Sequence, residues 1–175
     1  VPTRGILYAT WCFNGNVLTF DELSYVAILM SVLGKLDTAT HSAAELDTLS
    51  NGLLGDLSFF TSVNEREHDY LMHILASASA LEENTDAAFE LMQEVLLTTD
   101  FSNTDRIKDI LEQKRIGLEQ AFATSGNTYA ANRVATHYLA GALITDAMSG
   151  VEFYRFLKDL LAHFDERKEV LCTTL

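Results

Sequence analysis

The sequence is poor in the residues that interrupt or cross-link a chain. Its 175 residues include one proline, nine glycines and two cysteines. So little proline and glycine excludes a collagen-like, low-complexity or linker-like chain. The two thiols, Cys12 and Cys172, exclude a disulfide framework of the kind that stabilises small secreted domains, and they fit a reducing compartment.

Basic residues and long apolar runs are also scarce. The chain has 12 Lys and Arg against 25 Asp and Glu, a formal net charge of −13. A surface of that sign repels phosphates and anionic headgroups, so neither nucleic acid nor a membrane is expected as a partner. No apolar run reaches the roughly 18 residues of a membrane-spanning helix. Basic peptides would be attracted instead, an effect that salt should weaken.

Apolar residues are abundant enough for a packed core. They make up 48% of the chain, against 21% charged residues. The length suits one domain and no linker-like segment divides it, so we predict a single domain over residues 1–175. The chain begins with Val-Pro-Thr-Arg-Gly rather than Met and stops after a charged helical stretch. We interpret it as a fragment of a larger multidomain protein.

Three segments in the first half have the composition of strands. They are residues 5–14 (GILYATWCFN), 55–64 (GDLSFFTSVN) and 69–79 (DYLMHILASAS). Leu57 and Phe59 are expected on one face of the second. The third is apolar on both alternating faces, as expected of a middle strand in a covered sheet, with a buried helix as the alternative.

Helices are predicted between and after these strands. Capping boxes mark three helix starts: Thr19 with Glu22, Ser42 with Glu45, and Ser149 with Glu152. The first helix is predicted to end near Gly34, and the second near Asn51 with Gly52 as its stop. Because strands precede the long helices, we predict an α+β fold, an antiparallel or mixed sheet with helices packed on it.

The second half is predicted to be helical throughout. Asn84 or Thr85 should cap one helix, and Asn103 or Thr104 should cap a long amphipathic one that is broken at Ser125-Gly126. Shorter helices are predicted at residues 128–139 and 141–148, interrupted at Ala140-Gly141 and Ser149-Gly150. Asp165 is predicted to cap a last helix that ends near Leu171.

The five histidines do not have the spacing of a metal site. His41 is followed by Glu45, and His68 by His73, but neither pair has a matching third ligand, and a His-x-x-Glu-His helix is absent. His68 and His73 should lie on opposite faces of a strand. We interpret the histidines as surface or partly buried residues and assign no metal ligand.

Nucleophile and phosphate motifs are absent as well. There is no Gly-x-Ser-x-Gly elbow, and the stretch from Gly52 to Gly55 lacks the Lys-Ser/Thr of a nucleotide loop. Cys12 is interpreted as a small core residue. The acidic residues 82–86 suit a solvated helix start better than a calcium loop. No catalytic or cofactor-binding residue is assigned.

Several aromatic residues are predicted to form the core: Trp11, Phe13, Phe59, Phe60, Tyr70 and Phe153. An exposed subset could instead hold the side chains of a substrate. The sequence leaves these two alternatives open.

The order of several segments resembles a domain of the insulinase-like (pitrilysin) zinc peptidases, in the presequence-protease branch. The segments are GILYATWCFN at 5–14, LSYVAILMSVLGKLDTATHSAAEL at 23–46, the strand with Gly55, LTTDFS at 97–102, the Ser125-Gly126 break, and SGVEFYRFLKD at 149–159. The resemblance covers nearly the whole chain. Where many relatives have paired glycines before the second strand, this chain has Leu54-Gly55.

The resemblance implies a role without chemistry of its own. Members of that family have four related α+β domains in two hinged halves that close around a peptide chamber. The catalytic zinc lies in the first domain, on an inverted His-x-x-Glu-His helix, and further Arg and Tyr side chains come from the last domain. This sequence is similar to the third domain. None of the zinc ligands has a counterpart here, so zinc is implied for the parent protein and not for this chain.

The implied function is that of a chamber wall, inactive alone, in a zinc metalloendopeptidase that degrades unfolded peptides. The implied partners are the other domains of the parent chain and the peptide substrate, in a bacterial cytoplasm or an organelle matrix. The alternative is a non-catalytic binding or scaffold subunit that pairs with a separate catalytic chain. A domain taken from its neighbours should also expose an apolar patch and tend to self-associate.

Overall fold

A single three-stranded antiparallel sheet is the centre of the fold. The computed structural model describes residues 5–66 and 69–175, which contain the three strands and seven α-helices. The strands pair in the order β1-β3-β2. The elements are β1 (Ile6–Asn14), α1 (Leu23–Val32), α2 (Ala43–Leu53), β2 (Leu54–Glu65), β3 (Tyr70–Leu81), α3 (Thr85–Thr98), α4 (Thr104–Ala135), α5 (Ala140–Ser149), α6 (Val151–Ala162) and α7 (Phe164–Thr174). The predicted α+β class and the three predicted strands are confirmed.

The central strand β3 shows why helices cover one face of the sheet. Ala76, Ala78 and Ala80 alternate along it, are nearly inaccessible to solvent, and share a core cluster with Met92 of α3. Such small side chains let a helix approach the sheet closely. Leu57 and Phe59 of β2 pack in the same cluster, as predicted for one face.

Cover on both faces was predicted for this strand, and that prediction is wrong for the described part of the chain. The alternate residues of the strands face away from the helices, and several are exposed, including Tyr8 (69%), Leu81 (53%) and Phe60 (42%). Both faces of β3 carry several apolar residues, and this pattern does not distinguish a face covered by the same chain from a face that is open.

A second cluster lies among the helices and is built around Phe153, Leu157 and Leu160 of α6, all almost fully buried. Residues of α1, α4, α5 and α7 and Met72 of β3 complete it. Of the predicted core aromatics, Phe153 is buried, and Trp11, Phe59 and Tyr70 pack at the edges of the two clusters.

Three core predictions are wrong. Phe13 and Phe60 stay 45% and 42% exposed, and Cys12 is exposed. Phe13 and Cys12 lie on β1, an edge strand, and Phe60 lies on β2, the other edge strand. An edge strand has a neighbour on one side only, and Cys12 and Phe60 also lie on the face of the sheet that the helices do not cover, so these side chains stay exposed.

Two of the predicted capping boxes form. The Glu22 carboxylate accepts a hydrogen bond from the Thr19 backbone N–H at 2.7 Å, and the Glu45 carboxylate accepts one from the Ser42 N–H at 2.8 Å. The first helix ends just before Gly34, whose φ of +75° lies in the left-handed region. The predicted stop at Gly52 is wrong, because α2 continues to Leu53 and the chain passes directly into β2.

The third predicted capping box is wrong, because Asp146 caps α6 in place of Ser149. Its carboxylate accepts hydrogen bonds from the backbone N–H groups of Val151 at 3.0 Å and Glu152 at 3.3 Å. Asp146 is 1% exposed and also pairs with Arg133 of α4. The Ser149 hydroxyl donates to the Thr145 carbonyl instead.

The long helix α4 bends where a break was predicted. Ser125 has non-helical angles (φ −132°, ψ 29°), but the helix continues to Ala135. The next interruption lies at residues 136–139 rather than at Ala140-Gly141, since α5 begins at Ala140. None of the described helices combines the length and apolarity needed to cross a membrane.

Among the remaining predicted caps, the one at the start of α4 is confirmed and the others are not. Asn103 caps α4 by accepting from the Arg106 N–H at 3.1 Å, as predicted. Asn84 precedes α3, but its amide donates to the Leu53 carbonyl. Asp165 lies inside the first turn of α7, which continues beyond Leu171 to Thr174. The Asn84 side chain binds a partner that is distant in sequence, and the local pattern did not reveal it.

Asp146→Ala should lower the free energy of unfolding by about 3 kcal/mol, because Arg133 loses a buried partner and α6 loses its cap. Urea denaturation monitored by circular dichroism measures the loss. Asp159→Ala is the matched control, since Asp159 is 62% exposed and pairs with Arg167. It should cost less than about 1 kcal/mol. Equal losses for the two variants would contradict the role assigned to Asp146.

Candidate functional site

The open sheet face is the surface of the sheet that points away from the helices. It consists of alternate residues of the three strands: Ile6, Tyr8, Thr10, Cys12 and Asn14 of β1; Leu71, His73, Leu75, Ser77, Ser79 and Leu81 of β3; and Asp56, Ser58, Phe60, Ser62 and Asn64 of β2. The strand register sets this membership, because side chains alternate between the two faces. A β-bulge between Leu54 and Asp56 shifts the alternation of β2 by one residue, so that Asp56 faces the same side as Ser79.

A row of hydroxyls crosses the middle of this face. Thr10, Ser77 and Ser58 are neighbours on adjacent strands, and the Thr10 and Ser77 hydroxyls lie 3.1 Å apart. Larger apolar side chains flank the row, and Tyr8 and Phe60 are the exposed aromatic ones. The face therefore offers hydrogen-bonding groups next to apolar contact area.

The open sheet face carries very little charge. Asp56 is its single formally charged residue when histidine is neutral, whereas 21% of the whole chain is charged. Depletion of charge together with exposed aromatic residues is typical of the centre of a contact surface. In the described part of the chain, the outer edge of β1 also has no strand partner. An unpaired edge can pair with the backbone of an extended peptide.

His41 pairs with Glu94 rather than with Glu45, the residue that follows it at helical spacing. Its Nδ1 lies 2.9 Å and 3.0 Å from the two carboxylate oxygens of Glu94 on α3, and the Thr38 hydroxyl donates to the same carboxylate. These hydrogen bonds hold the loop between α1 and α2 against the end of α3. His41 and Glu94 lie 53 positions apart, so no local sequence pattern indicated their contact.

The other predicted histidine pair is only half described. His73 lies on the open sheet face opposite Asn14 and Ser62. His68 lies outside the described residues, so its position relative to His73 stays a prediction.

The described residues do not fit the zinc that the family resemblance implies for a parent protein. Within residues 5–66 and 69–175, no three His, Cys, Asp or Glu side chains come together in a group that could hold a metal ion. We therefore derive no chemical step through a metal on this chain. The absence of catalytic and metal-binding residues stays a prediction.

Comparison with known proteins identifies relatives over nearly the whole chain. A family model, described as associated with the peptidases of family M16, subfamily C, matches residues 1–160. Protein HypA of Clostridium perfringens is 30% identical over 161 residues, covering 90% of this chain and 16% of that protein. The mitochondrial presequence protease of Yarrowia lipolytica is 26% identical over 169 residues, covering 95% of this chain and 17% of that protein.

A solved structure has a similar fold. A conserved protein from Enterococcus faecalis V583 superposes with a TM-score of 0.59 at 12% sequence identity, covering 92% of this chain and 40% of that one. At this identity the likeness concerns the fold alone. The chain spans about a sixth of the length of the curated relatives it matches.

The Glu94 carboxylate should make stability depend on pH. Partial burial raises its pKa, but the hydrogen bonds from Thr38 and His41 lower it more, so the pKa lies below its ordinary value. A carboxyl with a lowered folded pKa stabilises the fold above its unfolded pKa of about 4.3, and this contribution is lost as pH falls through the folded pKa.

Glu94→Gln should therefore lower the free energy of unfolding by about 1–2 kcal/mol near pH 6, and by less near pH 3, where the wild type has lost part of the same contribution. Urea titrations at both pH values measure the difference. Glu90→Gln, an exposed position on the same helix, is the control and should have little effect at either pH. A difference for Glu94→Gln that does not shrink at low pH would contradict this role of the carboxylate.

Proposed function

The chain belongs to the family associated with the M16 peptidases of subfamily C, and from this premise we propose that it is a non-catalytic domain of a larger zinc metallopeptidase. In this proposal its open sheet face forms part of the wall of a chamber that encloses unfolded peptides. The chain performs no hydrolysis alone, and the metal and its ligands belong to another part of the parent protein.

The observation that carries the proposal is the chemistry of the open sheet face. Exposed Tyr8 and Phe60 can contact side chains of varied sequence, and the hydroxyl row can exchange hydrogen bonds with a peptide backbone or with water. A face that binds unfolded peptides of many sequences needs such mixed, weakly charged contacts. A face made to dock permanently against one neighbour would be more uniformly apolar.

The relatives support the idea of a larger parent. Protein HypA and the Yarrowia presequence protease are each about six times as long as the segment that matches this chain. The other domains of the same chain are therefore proposed as its permanent partners. One of these relatives is bacterial and the other is named as mitochondrial, and a bacterial cytoplasm or an organelle matrix is proposed for this protein.

The complete reading frame distinguishes this proposal from the alternative of a separate scaffold subunit. An upstream His-x-x-Glu-His in the same frame would support a domain of a peptidase. A frame that encodes only domains without that motif would favour the scaffold subunit, which would pair with a catalytic chain.

In the parent enzyme, Tyr8→Ala should lower kcat/KM for an unfolded peptide by about threefold to tenfold, mainly through KM, because substrate loses an aromatic contact worth about 1 kcal/mol. Steady-state assays with a fluorogenic peptide measure it. Tyr138→Ala is the matched control, since Tyr138 is 82% exposed on the loop between α4 and α5. It should change kcat/KM by less than about twofold. Equal effects of the two variants would refute a substrate-contacting sheet face.

The net charge of −13 should also attract basic peptides over longer distances, and salt can separate this attraction from the short-range contacts of the open sheet face. Because the open sheet face holds little charge, attraction of basic peptides must act over distances of about 10 Å, where salt screens it. Raising NaCl from about 0.05 M to about 0.5 M should lower kcat/KM more for a basic peptide than for a neutral peptide of equal length. An equal response of the two peptides would exclude electrostatic capture.

A further inference from the structure

A cleft with an unusual charge lies on the helical side of the molecule, between α1, α4, α5 and β2. It has a volume of about 620 Å³ and is lined by Lys35, Arg106 and Lys114. Its described lining thus contains three of the 12 basic residues of the chain and none of the 25 acidic ones. In a chain with a net charge of −13, a cleft whose charged lining residues are all basic is the opposite of what the composition predicts. We call it the basic cleft.

The three cations are not neutralised by carboxylates in the described part of the chain, where none of them forms an ion pair. Asp37 and Asp47 line a neighbouring cleft that Lys35 and Arg106 also reach. The Asp37 carboxylate, however, accepts a hydrogen bond from the Ala43 N–H at 2.7 Å. Among the described residues, neither carboxylate forms an ion pair with Lys35 or Arg106, and neither lines the basic cleft itself.

Two of the cations also repel each other. The Lys114 side chain is exposed as a whole, but partial desolvation at its ammonium, together with the nearby charge of Lys35, lowers the pKa of Lys114. The Lys35 ammonium is held in place by donating to the Ser31 carbonyl at 2.9 Å, at the end of α1 where the helix dipole favours a cation. An anion between the two lysines would relieve the repulsion.

Three of the four hydroxyls that line the cleft are already engaged. Ser31 donates to the Ala27 carbonyl at 2.7 Å, Thr145 to the Gly141 carbonyl at 2.8 Å, and Ser149 to the Thr145 carbonyl at 3.0 Å. The ammonium and guanidinium groups, together with the Thr61 hydroxyl and the Gln113 amide, are the hydrogen-bond donors left for a ligand. Apolar side chains such as Met30 and Ile110 line the rest of the cleft.

We propose that the basic cleft binds a small organic anion, whose oxyanion lies among the three cations and whose apolar part contacts the methionine and isoleucine side chains. Lysine and arginine donate charge-assisted hydrogen bonds to carboxylate and phosphate oxygens, which are about twice as strong as neutral ones. A carboxylate joined to an aliphatic body matches both halves of the lining. The proposal concerns the helical side of the molecule and does not rest on the peptidase function.

Isothermal titration calorimetry of the 175-residue chain tests the proposal with N-acetyl-leucine and its uncharged analogue N-acetyl-leucinamide. The acid should bind saturably and at least about tenfold more tightly than the amide, because only the acid carries the oxyanion. Inorganic phosphate is the third probe. Saturable phosphate binding at the same cations, without binding of the acid, would keep the oxyanion site and assign it to phosphate-bearing ligands.

Lys114→Met locates the binding, since it keeps the aliphatic stem and removes the charge. It should weaken binding of the acid at least about fivefold, whereas Lys158→Met, which removes an exposed charge from α6, should change it by less than about twofold. Lys35→Met serves as a second variant if Lys114→Met does not give the native circular dichroism spectrum. Absence of saturable binding by all three probes, or equal effects of the variants inside and outside the cleft, would overturn the proposal.

Discussion

The buried carboxylate of Asp146 organises the helical half of the molecule. It lies near the end of α5, pairs with Arg133 of α4, and caps the first turn of α6. Burial of a charge is costly unless the charge is paired and hydrogen-bonded, and Asp146 satisfies both conditions at once. Gly150 is required beside it, because a Cβ there would lie 2.3 Å from the carboxylate oxygen. Three helices thus meet at one side chain.

Part of the packing against the sheet depends on that junction. By orienting α6, Asp146 places Phe153 in the cluster that joins α1 and α4 to Met72 of β3. The helices then occupy one side of the sheet and leave the other side open in the described part of the chain. An open sheet face that carries almost no charge on so acidic a chain is a surface suited to contact with polypeptide. This asymmetry is the physical basis of the proposed wall.

The charge distribution gives the two sides of the domain different chemistry. The open sheet face is nearly neutral, whereas the basic cleft on the helical side concentrates positive charge. The net charge of −13 hides both features, because it averages over the whole surface. Partners that contact the domain through one side would therefore experience an electrostatic environment unlike the one that composition suggests.

Features that depend on residues near each other along the chain could be predicted from the sequence. The three strands, the capping pairs of Thr19 and Ser42, and the bend at Ser125 all follow from local composition and spacing. The order of segments also indicated the family that the comparison with known proteins identified. These features are predictable because alternation, helical period and capping geometry act within a few residues.

The open surfaces and the contacts between distant side chains depend on how the elements pack together. The contact between His41 and Glu94, the use of Asp146 in place of Ser149, and the gathering of three cations in one cleft join residues from different elements. The exposure of Cys12 and Phe60 depended on strand order and on which face the helices cover. The sequence pattern could not reveal these outcomes, because both faces of β3 carry several apolar residues and periodicity does not specify the neighbour of each face.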